Sequence, residues 1–87
     1  MDEAAKVVWS KRSFAQFQQL PDQLRERINN RLPLLQQNPQ MYQLETAGKW
    51  EGLRRMVVGW YKLYYTYWHS EHTIYVETIV STRHSDR

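Results

Sequence analysis

The sequence predicts an α+β domain: two N-terminal helices packed on a small, twisted, mostly antiparallel four-stranded sheet. Three observations carry this reading. Apolar residues recur at helical spacing only before residue 40, β-branched and aromatic residues concentrate after residue 52, and turn residues punctuate that second half at short intervals. An 87-residue chain has room for one domain, residues 1–87, because a domain this small buries only about 60% of the surface that its unfolded form exposes.

The opening strand is Lys6-Val7-Val8-Trp9-Ser10, a short β-prone run. Ser13 is expected to cap a helix in which Phe14, Phe17 and Leu20 recur every three residues. Leu20-Pro21-Asp22 ends that helix and starts another, with Asp22 as its cap. Leu24, Ile28, Leu32 and Leu35 then fall on one face. Pro33 lies inside the periodic stretch, where it removes a backbone donor and crowds the Asn29 carbonyl, so a kink or an end near Arg31 is expected. Asn38-Pro39 closes the helical half. Gln40 to Gly52 has no period and reads as a loop over the following sheet.

Leu53–Val58, Trp60–Trp68 and Thr73–Ser81 then form an antiparallel meander, separated by Gly59 and by His69-Ser70-Glu71-His72. In the last strand, alternation places Ile74, Val76, Thr78 and Val80 on the core face. Tyr75, Glu77, Ile79, Ser81 and Arg83 fall on the other. Tyr61, Leu63 and Tyr65 share the core face of the middle strand, leaving Trp60, Lys62, Tyr64 and Trp68 opposite.

Composition narrows the chemistry. The chain has no Cys, which removes disulfides, thiolate zinc sites and cysteine nucleophiles, and a reducing cytoplasm is the simplest expected location. The N-terminus shows no signal-peptide pattern, and no apolar run approaches the roughly 20 residues of a membrane span. Twelve Lys and Arg against nine Asp and Glu give a net charge of +3, which suits RNA, DNA or an acidic protein partner. His69 and His72 flank a hairpin tip, and a histidine pair without Cys or a mapped carboxylate reads as a turn, so no metal is expected. Arg54 and Arg55 must point to opposite faces, so at most one serves a site. Lys6 with Lys11-Arg12, and Arg25, Arg27 and Arg31, read as solvated charge.

The order strand, helix, helix, loop, three-stranded meander resembles the RelE/ParE superfamily of toxins from bacterial toxin–antitoxin pairs. The most specific segment is Gly52-Leu53-Arg54-Arg55-Met56-Val57-Val58-Gly59-Trp60-Tyr61-Lys62-Leu63-Tyr64-Tyr65, which is similar to the family's basic strand, glycine turn and following aromatic strand. Val7-Val8-Trp9-Ser10 and Ile79-Val80-Ser81-Thr82-Arg83-His84 are similar as well.

The resemblance implies a cognate antitoxin. In the ribonuclease branch it implies metal-independent, cofactor-free cleavage of messenger RNA on the ribosome. Arg55, Lys62 and Arg83 match basic positions of that branch and would contact phosphate, with His84 as general acid or base. An imidazole suits either proton-transfer role because its unperturbed pKa is about 6.5. Trp60, Tyr64 and Trp68 are candidates for base or partner stacking, beside the plainer reading of sheet packing. Val57 stands where several ribonuclease members carry a second basic residue. Glu45 and Glu51 lie near, without aligning to, the catalytic glutamate of another branch. The gyrase-poisoning branch lacks the ribonuclease set, so a DNA gyrase poison and a binding protein without activity stand as alternatives.

Overall fold

The computed structural model describes residues 3–83. Two helices and five strands follow in the order β1 (Lys6–Trp9), α1 (Lys11–Gln18), α2 (Asp22–Gln37), β2 (Gln43–Leu44), β3 (Arg54–Val58), β4 (Tyr61–Trp68) and β5 (Thr73–Ser81). They form one sheet in the order β1-β5-β4-β3-β2, with β1 parallel to β5 and every other pair antiparallel.

The sheet has five strands where the sequence predicts four. The addition is β2, which pairs Gln43 with Arg55 and Leu44 with Arg54 inside the segment read as a loop. Two residues are too few to show an alternation, so the pairing is dictated by the ladder. Glu45 N–H donates to the Leu53 carbonyl at 2.8 Å and Gly52 N–H to the Glu45 carbonyl at 2.9 Å.

Both helix starts lie earlier than the sequence suggests. Ser10, not Ser13, caps α1, its hydroxyl accepting from the Ser13 N–H at 3.0 Å. Ser13 is instead fully buried and donates to the Val76 carbonyl at 2.9 Å. Pro21 holds the cap position of α2, and Asp22 becomes an acidic first-turn residue, well placed against the helix dipole. This helix does not end near Arg31 but continues through Pro33 to Gln37. Pro33 and Asn29 are exposed, so solvent can serve the carbonyl that Pro33 leaves without a donor, while Ile28 and Leu35 anchor the helix on both sides of it.

The core lies between α2 and one sheet face. Leu24, Ile28 and Leu35 are buried with Met56, Val58, Leu63, Tyr65, Ile74 and Val76, and Leu32 packs half-buried beside them. At Gly59, φ is +59°, a left-handed conformation that favours glycine, and an added Cβ would sit 2.8 Å from Leu24 Cδ2, so any other residue in the β3–β4 turn would be strained and would force the Leu24 side chain to move.

The β4–β5 pairing corrects the predicted core face of β5. Tyr64 pairs with Thr78 but Tyr65 with Val76, which leaves Glu77 as an extra, bulged residue. Beyond the bulge the alternation inverts. Ile79 pairs with Leu63 and is 5% exposed, whereas Val80 pairs with Lys62 and is only half-buried. Helix α1 covers the edge of β5 that β1 leaves open. Besides the Ser13 bond, Ser10 Oγ donates to the Glu77 carbonyl at 3.0 Å, and Gln16 Oε1 accepts from the Ile79 N–H at 2.8 Å.

Candidate functional site: a basic sheet face

The sheet face opposite α2 carries the candidate residues because of strand register. Arg55 pairs with Tyr64, and Lys62 stands between Val57 and Val80 on the neighbouring strands. Paired residues share a face, so Arg55, Val57, Lys62, Tyr64 and Val80 lie together. Arg54 projects the other way, and its guanidinium donates to the carbonyls of Gln40 at 3.3 Å and Tyr42 at 2.8 Å. It fastens the chain between α2 and β2.

Arg83 lies just past β5. The Thr82 N–H and hydroxyl both donate to the Trp60 carbonyl, at 2.7 and 2.9 Å. That pair fixes the chain beside the β3–β4 turn, and the Arg83 guanidinium carbon stands 4.2 Å from the Trp60 ring centroid. Lys62 is two residues from Trp60, so the register brings both cations to one end of the sheet. His84 lies outside the described residues.

Trp68 is exposed but sits at the other end of β4, roughly 20 Å from Lys62 at 3.3 Å per strand residue. Its indole N–H donates to Thr66 Oγ1 and its ring meets Tyr75 edge-on. The structure therefore does not gather Trp68 with the cations.

Tyr64 requires a correction of a different kind. It is 3% exposed, and Trp50 stacks on it with ring centroids 4.7 Å apart and planes 17° off parallel. In this conformation its accessible ring face is occupied, so no base can stack there. Burial raises the pKa of its hydroxyl, and the Glu45 carboxylate adds to that rise while the Arg55 cation opposes it.

Glu45, Gln43 and Trp50 are neighbours that sequence reasoning did not place in the site. Arg55 Nη2 donates to Gln43 Oε1 at 3.0 Å, and Arg55 Nη1 lies 3.1 Å from Glu45 Oε2. The latter is a charge contact whose angles fall short of a hydrogen bond, and it leaves that buried oxygen with no donor of its own. Both side chains retain partial exposure, 27% for Arg55 and 21% for Glu45. Only the pairing of β2 with β3 brings these groups to Arg55, and a two-residue strand leaves no pattern to find it by.

His72 of the β4–β5 turn has a structural duty. His72, at φ +51°, donates from Nε2 to the Glu3 carbonyl at 2.7 Å, and its Nδ1 lies 2.6 Å from the Tyr67 hydroxyl. It ties the segment before β1 to the sheet. Among the described residues no group of three His, Cys, Asp or Glu stands close enough to hold a metal ion, and no helix is long and apolar enough to cross a membrane.

The fold has close counterparts among solved structures. The intact E. coli RelBE toxin–antitoxin complex contains a chain that superposes with a TM-score of 0.79 at 15% identity, covering 97% of this chain and 100% of that one. The isolated E. coli RelE toxin gives a TM-score of 0.80 at 15% identity, over 95% of this chain and 89% of that one. The archaeal RelE–RelB complex from Pyrococcus horikoshii gives 0.74 at 19% identity, over 95% of this chain and 100% of that one. At such identities the likeness is one of fold. No curated protein matches the sequence. Residues 7–86 match the family described as the ParE toxin of type II toxin–antitoxin systems, parDE. The match spans nearly the whole chain and agrees with the RelE-like fold, and the chain belongs to the ParE toxin family of type II toxin–antitoxin systems.

Proposed function

We propose that this toxin is a ribosome-associated, metal-independent endoribonuclease that arrests translation in the cytoplasm and is held inactive by a cognate antitoxin. The observation that carries the reading is the register that puts Arg55 and Lys62 on one sheet face, with Arg83 fastened beside the turn next to Lys62. In the reaction the ribose 2′-oxygen attacks the adjacent phosphorus and the bond to the 5′-oxygen breaks. The products are a 2′,3′-cyclic phosphate and a 5′-hydroxyl. A base takes the 2′-hydroxyl proton and an acid delivers one to the leaving oxygen, and His84 is assigned one of these two roles. Arg55, Lys62 and Arg83 stabilise the charge that develops on the phosphorane. The antitoxin is proposed to lay an acidic segment across the same face, matching the net charge of +3.

A second reading, a DNA gyrase poison without nuclease activity, draws support from the ParE family match and from the partial neutralisation of Arg55 by Glu45. Induction of the chain alone separates the two. The ribonuclease reading expects rapid arrest of protein synthesis with new messenger ends, and loss of both in a Lys62→Ala, Arg83→Ala, His84→Ala variant that keeps the wild-type fold by circular dichroism and thermal unfolding. One lost phosphorane-stabilising cation costs on the order of 10² to 10³ in rate, by analogy with oxyanion donors. Replication arrest with accumulated gyrase cleavage complexes, and intact messenger, would replace this reading with the second.

A further inference from the structure

Two contacts on the basic face have the chemistry of a bound nucleotide, yet both are made by the chain itself. Glu45 presents a carboxylate to the Arg55 guanidinium at 3.1 Å, where a phosphate would sit. Trp50 lays an indole on Tyr64 at 4.7 Å and 17°, the arrangement a stacked base would adopt. Both groups come from the segment between β2 and β3. Gly48 and Gly52, at φ +86° and +91°, bracket the turn that carries Trp50, and an added Cβ at either would meet nothing within 4 Å. Their role is therefore to allow the backbone bend and not to fit a crowded space. The Glu45 backbone stays anchored by its two ladder hydrogen bonds to Gly52 and Leu53, but the Glu45 and Trp50 side chains are held over the sheet only by one partly exposed ion pair and one ring stack. Each is a weak interaction.

We propose that residues 45–50 are an intramolecular occupant of a nucleotide subsite formed by Arg55 and Tyr64, and that single-stranded RNA must displace Glu45 and Trp50 to reach it. The proposal rests on the RNA-directed reading above and adds a regulated subsite to it. Displacement uncovers Tyr64 and frees the Arg55 cation together, because the two face each other across β3 and β4. The free protein thereby lowers its own affinity for RNA. A bound strand with both a phosphate and a base at this point replaces both contacts at once.

The test is direct binding of a short single-stranded oligoribonucleotide carrying 2-aminopurine, whose fluorescence falls when the base stacks. Glu45→Gln keeps the side-chain size and removes the charge, so the fold is retained while the Arg55 cation loses its carboxylate and keeps only the neutral Gln43 oxygen as partner. Trp50→Ala uncovers Tyr64. Each is expected to tighten binding by about 3- to 10-fold, with stronger quenching in the Trp50 variant, and Tyr64→Ala on the Trp50→Ala background should remove that variant's gain. Unchanged or weaker binding by a folded Glu45→Gln protein would overturn the proposal, as would a gain from Trp50→Ala that survives the loss of Tyr64. The assay needs no cleavage, so its failure is separable from failure of the ribonuclease reading. A wild type that arrests translation while both variants bind RNA no better loses only the occupied subsite. Variants that bind RNA more tightly while no form of the protein cuts messenger lose only the nuclease.

Discussion

Tyr65 has no solvent-exposed surface, and its hydroxyl donates to the Pro39 carbonyl at 2.8 Å, closing the end of α2 onto β4. Burial pushes its pKa up to about 12 from 10.0, against a smaller opposing pull from the Arg54 cation. Above pH 10 the unfolded chain loses this proton while the folded one keeps it. Its stabilising contribution is therefore whole below pH 10 and is lost between pH 10 and about 12. Denaturant titrations across that range should show the fall, and Tyr65→Phe should flatten it while costing roughly 1 kcal/mol at neutral pH for the lost hydrogen bond. An alkaline profile identical in the variant would assign the fall to another group. At this scale the sequence was legible wherever side-chain direction alone decides. Alternation along β3 separates Arg54, committed to backbone carbonyls, from Arg55 on the basic face. It was not legible where a partner arrives from afar. Ser13 is a sound cap candidate by type, yet the Val76 carbonyl claims its hydroxyl and Ser10 takes the cap.

The bulge at Glu77 is the element-scale counterpart. A strict two-residue period through Thr73–Ser81 assigns Val80 to the core and Ile79 to the outer face, and the extra residue exchanges them. No residue type in Val76-Glu77-Thr78 announces a bulge, since β-branched residues stand on both sides of it and no glycine marks it. The expected consequence is an asymmetric pair of truncations. Ile79→Ala should cost about 2 to 4 kcal/mol by thermal or urea unfolding, and Val80→Ala less than about 1 kcal/mol, because its site is half-open to solvent. Equal costs would contradict the inverted register. Ile28→Ala, in the middle of the buried face of α2, belongs with the larger effect at about 2 to 5 kcal/mol. The periodicity of Leu24, Ile28, Leu32 and Leu35 identified that face correctly. The helix continues past the expected break because two buried anchors outweigh one missing hydrogen bond at an exposed proline.

Across the whole molecule, sequence-local pairings were the easiest to anticipate and distant ones the hardest. The β3–β4–β5 meander joins neighbours through short turns, whereas the parallel register of Lys6 with Thr73 brings residues from near the two ends together and leaves no local trace. The same distinction governs the candidate site. The cations lie on strands whose order the sequence reveals, while the carboxylate and indole beside Arg55 and Tyr64 arrive through β2.

That arrangement fixes how RNA binding should depend on salt. Each phosphate neutralised on a single strand contributes a slope of about −0.7 to log K against log salt. Glu45 pairs with Arg55 in the free protein but is displaced by the bound strand, so Arg55, Lys62 and Arg83 each neutralise a phosphate in the complex and wild type should show a slope of about −2. Lys62→Ala should shift it to about −1.4, whereas Glu45→Gln should tighten binding by a similar factor at every salt concentration and leave the slope unchanged. Because the slope counts neutralised phosphates and not total affinity, it separates a charge contact from a packing change that weakens binding at every salt concentration equally. Fluorescence titrations of the same oligoribonucleotide between 50 and 300 mM salt measure it. A Lys62→Ala slope equal to wild type would remove Lys62 from the RNA contact, and with it the basic face as the surface that receives the strand.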